Sequence, residues 1–272
     1  MSAKKTYITT AIPYVNAKPH LGHILEWFQA DAFAQYFEML DREVIIASGA
    51  DENSLKNIQA AEKSNTEIQD WLDEYAAIFE KSFNTFGIKL DAFRRGSDQQ
   101  FHWPGVQELW NRCLKNGDIY IKTYSGLYCV GCESFYTYEE LTDGKCPEHL
   151  TKPEEISEEN YFFKLSHYQE QIKDLIASDT VRITSAQFKN EMLGFINQGL
   201  EDFSVSRSTQ RARGIGVPVP NDPTQVLYVW FDALCIYLTA VGFGYDQELF
   251  ERTWPADIHV IGKGINRFHA VY

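Results

Sequence analysis

The fold of this 272-residue chain is decided by the stretch Tyr7-Ile8-Thr9-Thr10-Ala11-Ile12-Pro13-Tyr14-Val15-Asn16-Ala17-Lys18-Pro19-His20-Leu21-Gly22-His23. Its first part, residues 7–12, is apolar and rich in β-branched side chains, which predicts a buried strand. A strand, a loop and a helix in this order are typical of the first half of a βαβ unit. The helix is predicted by apolar residues that recur at helical spacing, namely Leu21, Ile24, Leu25, Phe28, Ala32, Tyr36 and Leu40.

The start of this predicted helix carries two histidines on either side of a glycine. His20 and His23 are three residues apart, so both side chains can lie on one face of the first turn. Gly22 has no Cβ, which lets a flat ring lie against the backbone. Unpaired N–H groups and the helix dipole attract anions at such a position, which favours a phosphate site. A turn that happens to hold two histidines explains the same residues.

Composition and charge limit the class of protein. Hydrophobic residues make up 44% of the chain and aromatic residues 14%, which indicates a globular protein with a substantial core. Apolar runs are shorter than the ~18 residues that a membrane span needs, and residues 1–5 lead directly into a strand. We therefore expect no membrane contact, no signal peptide and a cytoplasmic location, with an organelle stroma as the alternative if a transit peptide has been removed. The net charge of −13, with nine acidic residues and two lysines in residues 133–160, disfavours DNA and other sequence-independent nucleic-acid partners.

Alternating strand and helix signals predict the organisation of the first part of the chain. Residues 1–115 are predicted to form the first half of an α/β, Rossmann-like, doubly wound parallel sheet. A second strand is predicted at 44–47, and helices are predicted at about 54–64 and 66–86. This order of elements places helices on the faces of the sheet.

The second part of the chain has a different pattern. Residues 116–222 contain clustered cysteines and aromatic strands, and are predicted to form a connective insertion. Strand signals return at 225–230 and 258–262, each followed by a helix. Residues 223–272 are therefore predicted to form the other half of the parallel sheet. A surface crossover tolerates an insertion of this length.

The spacing of the cysteines indicates a metal site. Cys129, Cys132, Cys146 and His149 follow the pattern Cys-x2-Cys-x13-Cys-x2-His. Two tight turns that present three thiolates and one imidazole suit tetrahedral Zn²⁺, and with four protein ligands the ion would be structural. The alternatives are a disulfide, or two turns without a metal. A disulfide is disfavoured in a chain without a secretion signal.

Two charged residues are weaker candidates for a site. Asp51 follows the second predicted strand, and ligands of open α/β sheets bind at such strand ends. Its carboxylate could pair with a substrate ammonium, but Asp is also a common N-cap of a following helix. Arg207 lies at the end of the insertion and by itself is typical of a surface arginine.

Two stretches near the end of the chain lie where a strand meets a helix. Trp230, Leu234 and Tyr237 form one helical stripe, which is either core or the wall of an apolar pocket. Aromatic edges of this kind suit a thioether sulfur. In the stretch Gly262-Lys263-Gly264, the glycines would let the backbone approach a nucleotide. The spacing matches neither a P-loop nor a dinucleotide fingerprint.

Taken in order, these stretches resemble the catalytic domain of the methionyl-tRNA synthetases, a family of class I aminoacyl-tRNA synthetases. His20-Leu21-Gly22-His23 resembles the HIGH motif of that class, and Ala11-Ile12-Pro13-Tyr14-Val15-Asn16 narrows the resemblance to the methionine enzymes. The other matching stretches are the cysteine pattern and residues 48–52, 159–165, 204–207, 228–237 and 259–269. The resemblance covers essentially the whole chain.

The resemblance implies binding of L-methionine and ATP, with Mg²⁺ accompanying ATP, and transfer of methionine to the 3′ end of tRNA(Met). It implies catalytic roles for His20 and His23, which would stabilise charge at the α-phosphate as the methionine carboxylate attacks it in line. The implied ATP contacts are His20, Gly22, His23, Gly262 and Lys263. The implied methionine contacts are Ala11, Ile12, Tyr14, Asp51, Arg207, Trp230, Leu234, Tyr237, Ile265 and His269, with Asp51 on the ammonium.

Three features depart from the pattern of the family. Gly264 stands where the family usually has Asp after Gly-Lys, so a carboxylate near the ribose is missing. Residues 213–218 lack a tryptophan that is frequent in this loop. The chain stops at Tyr272, before the Lys-Met-Ser-Lys-Ser loop and the anticodon-binding domain of the family. We therefore expect a truncated, weakly active fragment of a longer protein.

Two other functions fit parts of the sequence. Another adenylate-forming class I synthetase or a nucleotidylyltransferase would share the histidine motif, although the stripe from Trp230 to Tyr237 favours methionine. A tRNA-binding or assembly module would use the cysteine turns alone. The acidic stretch 133–160 disfavours a polyanionic partner for that module.

Overall fold

A computed structural model describes residues 5–129 and 134–272. The strands are β1 (Thr6–Thr10), β2 (Val44–Ala50), β3 (Ala92–Arg95), β4 (Ile119–Cys129), β5 (Ser134–Tyr136), β6 (Glu154–Phe163), β7 (Phe203–Ser204), β8 (Ser206–Ser208), β9 (Pro218–Val219), β10 (Asp222–Leu227) and β11 (Ile258–Val260). The helices are α1 (Leu21–Glu38), α2 (Leu55–Lys63), α3 (Ile68–Thr85), α4 (Trp103–Asn116), α5 (Gln169–Ala177), α6 (Ala186–Asn197), α7 (Val229–Thr239), α8 (Gln247–Thr253) and α9 (Asn266–Ala270).

A parallel sheet with the strand order β11-β1-β2-β3 forms the centre of the fold. Ile8 in β1 and Ile46 in β2 are fully buried, because helices cover both faces of such a sheet. This confirms the predicted α/β class with a parallel sheet. β3 was not predicted, since it has only four residues and two of them are arginines.

Helix α1 is confirmed, but the residues that predicted it are mostly on the outside. Leu21 is 83% exposed and Leu25 is 61% exposed. The buried face instead carries Trp27, Ala30 and Ala34. The two alanines pack with residues of β1, β2 and β11, because a side chain of one carbon lets the helix backbone lie close to the sheet.

The predicted strand at 225–230 exists as β10, but its place in the parallel sheet was predicted wrongly. β10 pairs antiparallel with β8 and with β9 in a separate three-stranded sheet. Val226 and Leu227 are buried, and Leu227 packs with Val205, Val217 and Val219. Of the two strands predicted after residue 222, β11 is the one that joins the parallel sheet, beside β1. The apolar residues of β10 are thus explained by burial in an antiparallel sheet, and they did not require a parallel neighbour.

The third sheet, with the order β5-β4-β6-β7, is antiparallel. β4 and β6 pair without interruption from Ile119 with Phe163 to Tyr128 with Glu154. Helices α5 and α6 pack beside it through a cluster that contains Leu165, Ile176, Met192 and Ile196. The limits 116–222 for an inserted domain remain a prediction.

Helix α4 joins this sheet to the helix α7 that follows β10. The ring of Trp110 in α4 is almost fully buried. It meets Tyr161 of β6 edge to face at 5.1 Å between centroids, and Phe231 of α7 at 5.9 Å. α4 ends at Asn116, immediately before Gly117, as its sequence suggests. In the part of the chain that the structure describes, no helix is long and apolar enough to cross a membrane.

Candidate active site at the carboxyl edge of the parallel sheet

The carboxyl ends of β1, β2 and β11 lie side by side, and the predicted site residues follow these strands. Tyr14 and Asp51 form a parallel backbone bridge beyond the ends of β1 and β2. The Asp51 N–H donates to the Pro13 carbonyl at 2.9 Å. Asp51 is 3% exposed. The N-cap of α2 is Ser54, whose hydroxyl accepts from the Lys56 N–H, so Asp51 does not serve as that cap.

His20 and His23 close the first turn of α1 upon itself. His20 is the N-cap, and its Nδ1 accepts from the Gly22 N–H at 3.0 Å. His23 Nδ1 accepts from the His20 N–H at 3.3 Å, which completes a capping box. The two rings stack with centroids 3.8 Å apart. The predicted common face of the two histidines is therefore present.

These hydrogen bonds determine which ring nitrogen carries the proton. Because both Nδ1 atoms accept, a neutral His20 or His23 bears its proton on Nε2 and donates from there. Burial, and then the proximity of His20, lower the pKa of His23 to about 4. At neutral pH, His23 is thus an uncharged hydrogen-bond donor beside the N-terminus of a helix. This arrangement suits the oxygens of a phosphate.

Gly22 makes room for the His20 ring. A Cβ at position 22 would lie 2.8 Å from His20 Cε1 and 3.0 Å from His20 Nδ1. Any larger residue would push the ring away from the helix terminus. The sequence predicted a flat ring against Gly22, and in the structure that ring is the side chain of His20.

Glu26 belongs to this site and was missed from the sequence. Its carboxylate accepts from the Ala11 N–H at 2.5 Å, which fastens α1 to the loop after β1. Burial raises the pKa of Glu26 to about 7, against a smaller lowering by the Ala11 hydrogen bond. The available signal was its position three residues after His23, on the same helical face.

Tyr237 and His269 form a directed pair at the end of β1. His269 Nδ1 lies 2.9 Å from the Ile265 carbonyl, which only accepts, so Nδ1 carries the proton. His269 Nε2 therefore accepts from the Tyr237 hydroxyl at 2.8 Å. Burial raises the pKa of Tyr237 well above its usual value, while a hydrogen bond from the Ile12 backbone lowers it less. Four predicted methionine contacts, Ile12, Tyr237, Ile265 and His269, are thus linked by hydrogen bonds.

Trp230, Leu234 and Arg207 line a neighbouring cavity of about 780 Å³ between α7 and the antiparallel sheets. The ring of Trp230 stacks on Phe268 at 3.9 Å. Arg207 donates to the Tyr128 hydroxyl at 3.3 Å, and burial leaves it 6% exposed rather than on the surface. The predicted methionine residues therefore fall into two adjoining groups, one at the strand ends and one in this cavity.

Comparison with known proteins decides the family. The family model described as "tRNA synthetases class I (M)" matches residues 6–155 and 140–272. The chain belongs to this family. A methionine–tRNA ligase from Thermotoga maritima is 39% identical, and the match covers 98% of this chain and 42% of that ligase. A methionine–tRNA ligase from Nostoc is 40% identical, and the match covers 99% of this chain and 52% of that ligase. The chain thus spans about half the length of these curated relatives.

Solved structures of the same family have the same fold. Mycobacterium tuberculosis methionyl-tRNA synthetase in complex with methionyl-adenylate superposes with a TM-score of 0.91 at 39% identity, over 99% of this chain and 53% of that one. The free form of that enzyme gives a TM-score of 0.82 at 38% identity, over 100% of this chain and 52% of that one. The class I synthetase fold predicted from the sequence is confirmed.

Residues 262–264, which the family resemblance places near the nucleotide, follow β11 and are exposed. Gly262 precedes a short 3-10 turn, Lys263–Ile265. The Lys263 ammonium lies 3.7 Å from Glu191 and over the Phe188 ring, both in α6. Gly264, where the synthetase family usually has Asp, faces open space, since a Cβ there would meet no atom within 4 Å.

Three of the four predicted metal ligands lie together. One ligand atom each from Cys129, Cys146 and His149 fall within 4.8 Å of one another. Cys146 Sγ is 4.0 Å from His149 Nδ1, and it accepts from the His149 N–H at 3.5 Å. Cys129 and Cys146 are free thiols rather than a disulfide. The predicted ligand Cys132 lies outside the described residues. Two thiols and an imidazole at this separation fit Zn²⁺.

Proposed function

We propose that this chain binds L-methionine and ATP and joins them to methionyl-adenylate with release of pyrophosphate. We further propose that the enzyme to which this chain contributes its catalytic domain transfers methionine to the 3′ end of tRNA(Met). The observation that carries the proposal is that both groups belong to the segment that follows β1. The His20–His23 turn begins helix α1 there, and the Tyr237 hydroxyl of the Tyr237–His269 pair is hydrogen-bonded to the Ile12 backbone. Hydrogen-bond donors for a phosphate and a site for an apolar amino acid thus lie at the same edge of the sheet, as adenylate formation requires.

At the nucleotide end, His20 and His23 would donate from Nε2 to the α-phosphate. As the methionine carboxylate attacks, negative charge grows on the phosphate oxygens, and donors fixed in place stabilise it. The N–H groups at the start of α1 add to this field. Gly22, Gly262 and Lys263 would contact the rest of ATP, which carries Mg²⁺. No side chain needs to act as a covalent nucleophile.

At the amino-acid end, Asp51 would bind the ammonium of methionine. Its burial strengthens a charge pair, because water screens less there. The proposed side-chain contacts are Ala11, Ile12, Tyr14, Trp230, Leu234, Tyr237, Ile265 and His269, with Arg207 nearby. Since one methylene is worth only ~1–3 kcal/mol of discrimination, contact between the aromatic rings and the sulfur must supply the rest.

The cysteine group is proposed to hold a structural Zn²⁺, with Cys132 as the fourth ligand. Four protein ligands leave no coordination position for a substrate. The ion would fix the turns at the end of the β4–β6 ribbon. The cytoplasmic location predicted from the sequence remains part of this proposal.

The function is tested by calorimetric titration of the chain with methionine, together with methionine-dependent exchange of pyrophosphate into ATP. We expect methionine to bind and to support exchange. Exchange should be slow, since the 272 residues contain no Lys-Met-Ser-Lys-Ser stretch. Norleucine, which replaces the sulfur by a methylene, is the matched control and should bind more weakly. Thermal stabilisation by leucine or cysteine but not by methionine would overturn the proposal.

A further inference from the structure

We propose that Asn53, Asp232 and His102 are positioning residues that hold the loop of Asp51 against helix α7. Asp51 would bind the ammonium of the amino acid, and α7 carries Tyr237, which would contact its side chain. The link would thus set the separation between the two walls of the amino-acid site. Its effect on methionine rests on the proposed function, whereas the link itself does not.

The link begins at Asn53, two residues after Asp51. The Asn53 Nδ2 donates to Asp232 Oδ2 at 2.5 Å and to the Gly96 carbonyl at 3.0 Å. Both amide hydrogens are therefore used, one on α7 and one on the loop after β3. This pins a segment that has neither helix nor strand between Asp51 and Ser54.

The link continues through a buried carboxylate to α4. His102 Nε2 lies 2.6 Å from Asp232 Oδ1, and His102 Nδ1 lies 2.8 Å from the Thr239 hydroxyl. A carboxylate only accepts, so His102 donates from Nε2. His102 is 0% exposed and Asp232 is 1% exposed. Since buried polar groups are costly to leave unpaired, each member of this chain fixes the next.

Asp232 lies on the helix that carries the proposed pocket wall. Trp230 and Leu234 flank it in sequence, and Tyr237 follows just over one turn later. Helix α7 packs closely on the sheet, because a Cβ at Gly49 of β2 would lie 2.8 Å from Ile236 Cγ2 of α7. Helix α7 is therefore held in place by its packing on the sheet, and the hydrogen bond from Asn53 to Asp232 holds the loop of Asp51 against α7.

A second anchor holds the other side of the loop. Glu52 is fully buried and accepts from Arg95 Nε at 2.8 Å and from the Ser97 N–H at 2.9 Å. Glu52 thus ties the loop to β3 and the residues after it, while Asn53 ties it to α7. Recognition sites lose function when a group moves by about 1 Å. Asn53 is the member that joins the two walls directly.

The experiment compares Asn53→Ala, Asp232→Asn and the double variant with the unchanged chain. Hydrogen–deuterium exchange reports the link, and calorimetry reports methionine binding. We expect faster exchange of the amides of residues 51–54 in each variant and a methionine Kd raised about tenfold or more. If both substitutions break the same link, the double variant should bind methionine no more weakly than the single variant with the higher Kd. Binding of ATP should change by less than about threefold.

The matched control is Asp202→Asn, since Asp202 accepts from Tyr120 and Ser166 far along the chain from this loop. It should lower the melting temperature without accelerating exchange at 51–54. Unchanged exchange at 51–54 in Asn53→Ala would overturn the link, even if Asp232→Asn fails to fold. Faster exchange with unchanged methionine Kd would overturn the positioning role. Faster exchange in a chain that never binds methionine would support the link and refute the proposed function.

Discussion

The imidazole ring of His23 lies parallel to that of His20, with 3.8 Å between centroids and 14° between planes. Each ring uses its Nδ1 to accept a backbone N–H of the same turn. Neither ring can rotate without losing this bond, so both Nε2–H groups keep their direction. Donors fixed before the substrate arrives need no reorganisation during reaction, which is the condition for strong stabilisation of a developing charge.

The two nitrogens of His20 can be tested separately. In His20→Asn the amide oxygen replaces Nδ1 as the helix cap, and Asn is a good N-cap. The donor corresponding to Nε2 is lost. We expect a melting temperature close to that of the unchanged chain, and pyrophosphate exchange slower by roughly 10²–10³-fold, as for loss of one oxyanion donor. His20→Ala should lose both properties. Exchange at the normal rate in His20→Asn would show that this ring serves folding only.

Glu26 should make the stability of the chain fall as the pH rises. Its folded pKa of about 7 lies above the ordinary value of 4.5, so the folded state holds this proton more tightly than the unfolded state. The stability from neutral Glu26 is complete below pH 4.5 and is lost as the pH rises through about 7. Gln cannot lose a proton in this way. The free energy of unfolding of Glu26→Gln, relative to that of the unchanged chain, should therefore be higher at pH 8 than at pH 5 by on the order of 2 kcal/mol.

Urea denaturation of both proteins at the two pH values measures this difference. Other groups titrate in both proteins and cancel in the comparison. Glu80→Gln is a suitable control, since Glu80 is an exposed residue of α3. A stability difference that does not depend on pH would contradict the raised pKa of Glu26.

Several elements of this fold were predictable because their signals are local. α2 and α3 occupy the ranges expected from apolar spacing, and His20 and His23 share a face because they are three residues apart. The strand β10 was found, but its partner was not. Pairing depends on residues far away in sequence, and a buried strand has the same pattern in either kind of sheet.

The polar contacts that complete the candidate site are longer in range. Asn53 meets Asp232 across 179 positions, and His102 meets Asp232 across 130. No spacing rule of a single sequence relates such residues. The resemblance to a family supplied the residues that we propose to contact the substrates. It did not supply Glu26, Asn53 or His102, whose roles follow from hydrogen bonds alone.

Gly264→Asp should strengthen the binding of ATP. The position faces open space, and its backbone is outside the left-handed region, so a side chain fits without strain. A carboxylate that accepts from a ribose hydroxyl contributes roughly 1.5–3 kcal/mol, so we expect ATP affinity to rise about tenfold. Gly264→Asn separates charge from size and should give a smaller gain. Calorimetric titration with a non-hydrolysable ATP analogue measures both, and equal affinities in all three proteins would contradict the prediction.

Cys146→Ser should remove the metal without closing the amino-acid site. Cys146 is fully buried within the ligand group, and serine is a poor ligand for Zn²⁺. We expect the unchanged chain to hold about one equivalent of zinc by mass spectrometry. The variant should hold none, with a methionine Kd within about threefold. Cys113→Ser, outside the ligand group, should keep its metal. Full zinc content in Cys146→Ser would contradict the assignment.

The indole of Trp110 touches the β6 strand on one side and α7 on the other. Trp110 therefore packs in one hydrophobic cluster with residues of the predicted insertion and with residues outside it. Heating should then melt the two parts together, in one calorimetric transition whose measured and van't Hoff enthalpies agree. The turns around Cys146 lie at the other end of the β4–β6 ribbon, away from that cluster. Loss of metal should thus leave a single transition and lower its midpoint, because the ion binds the folded state alone.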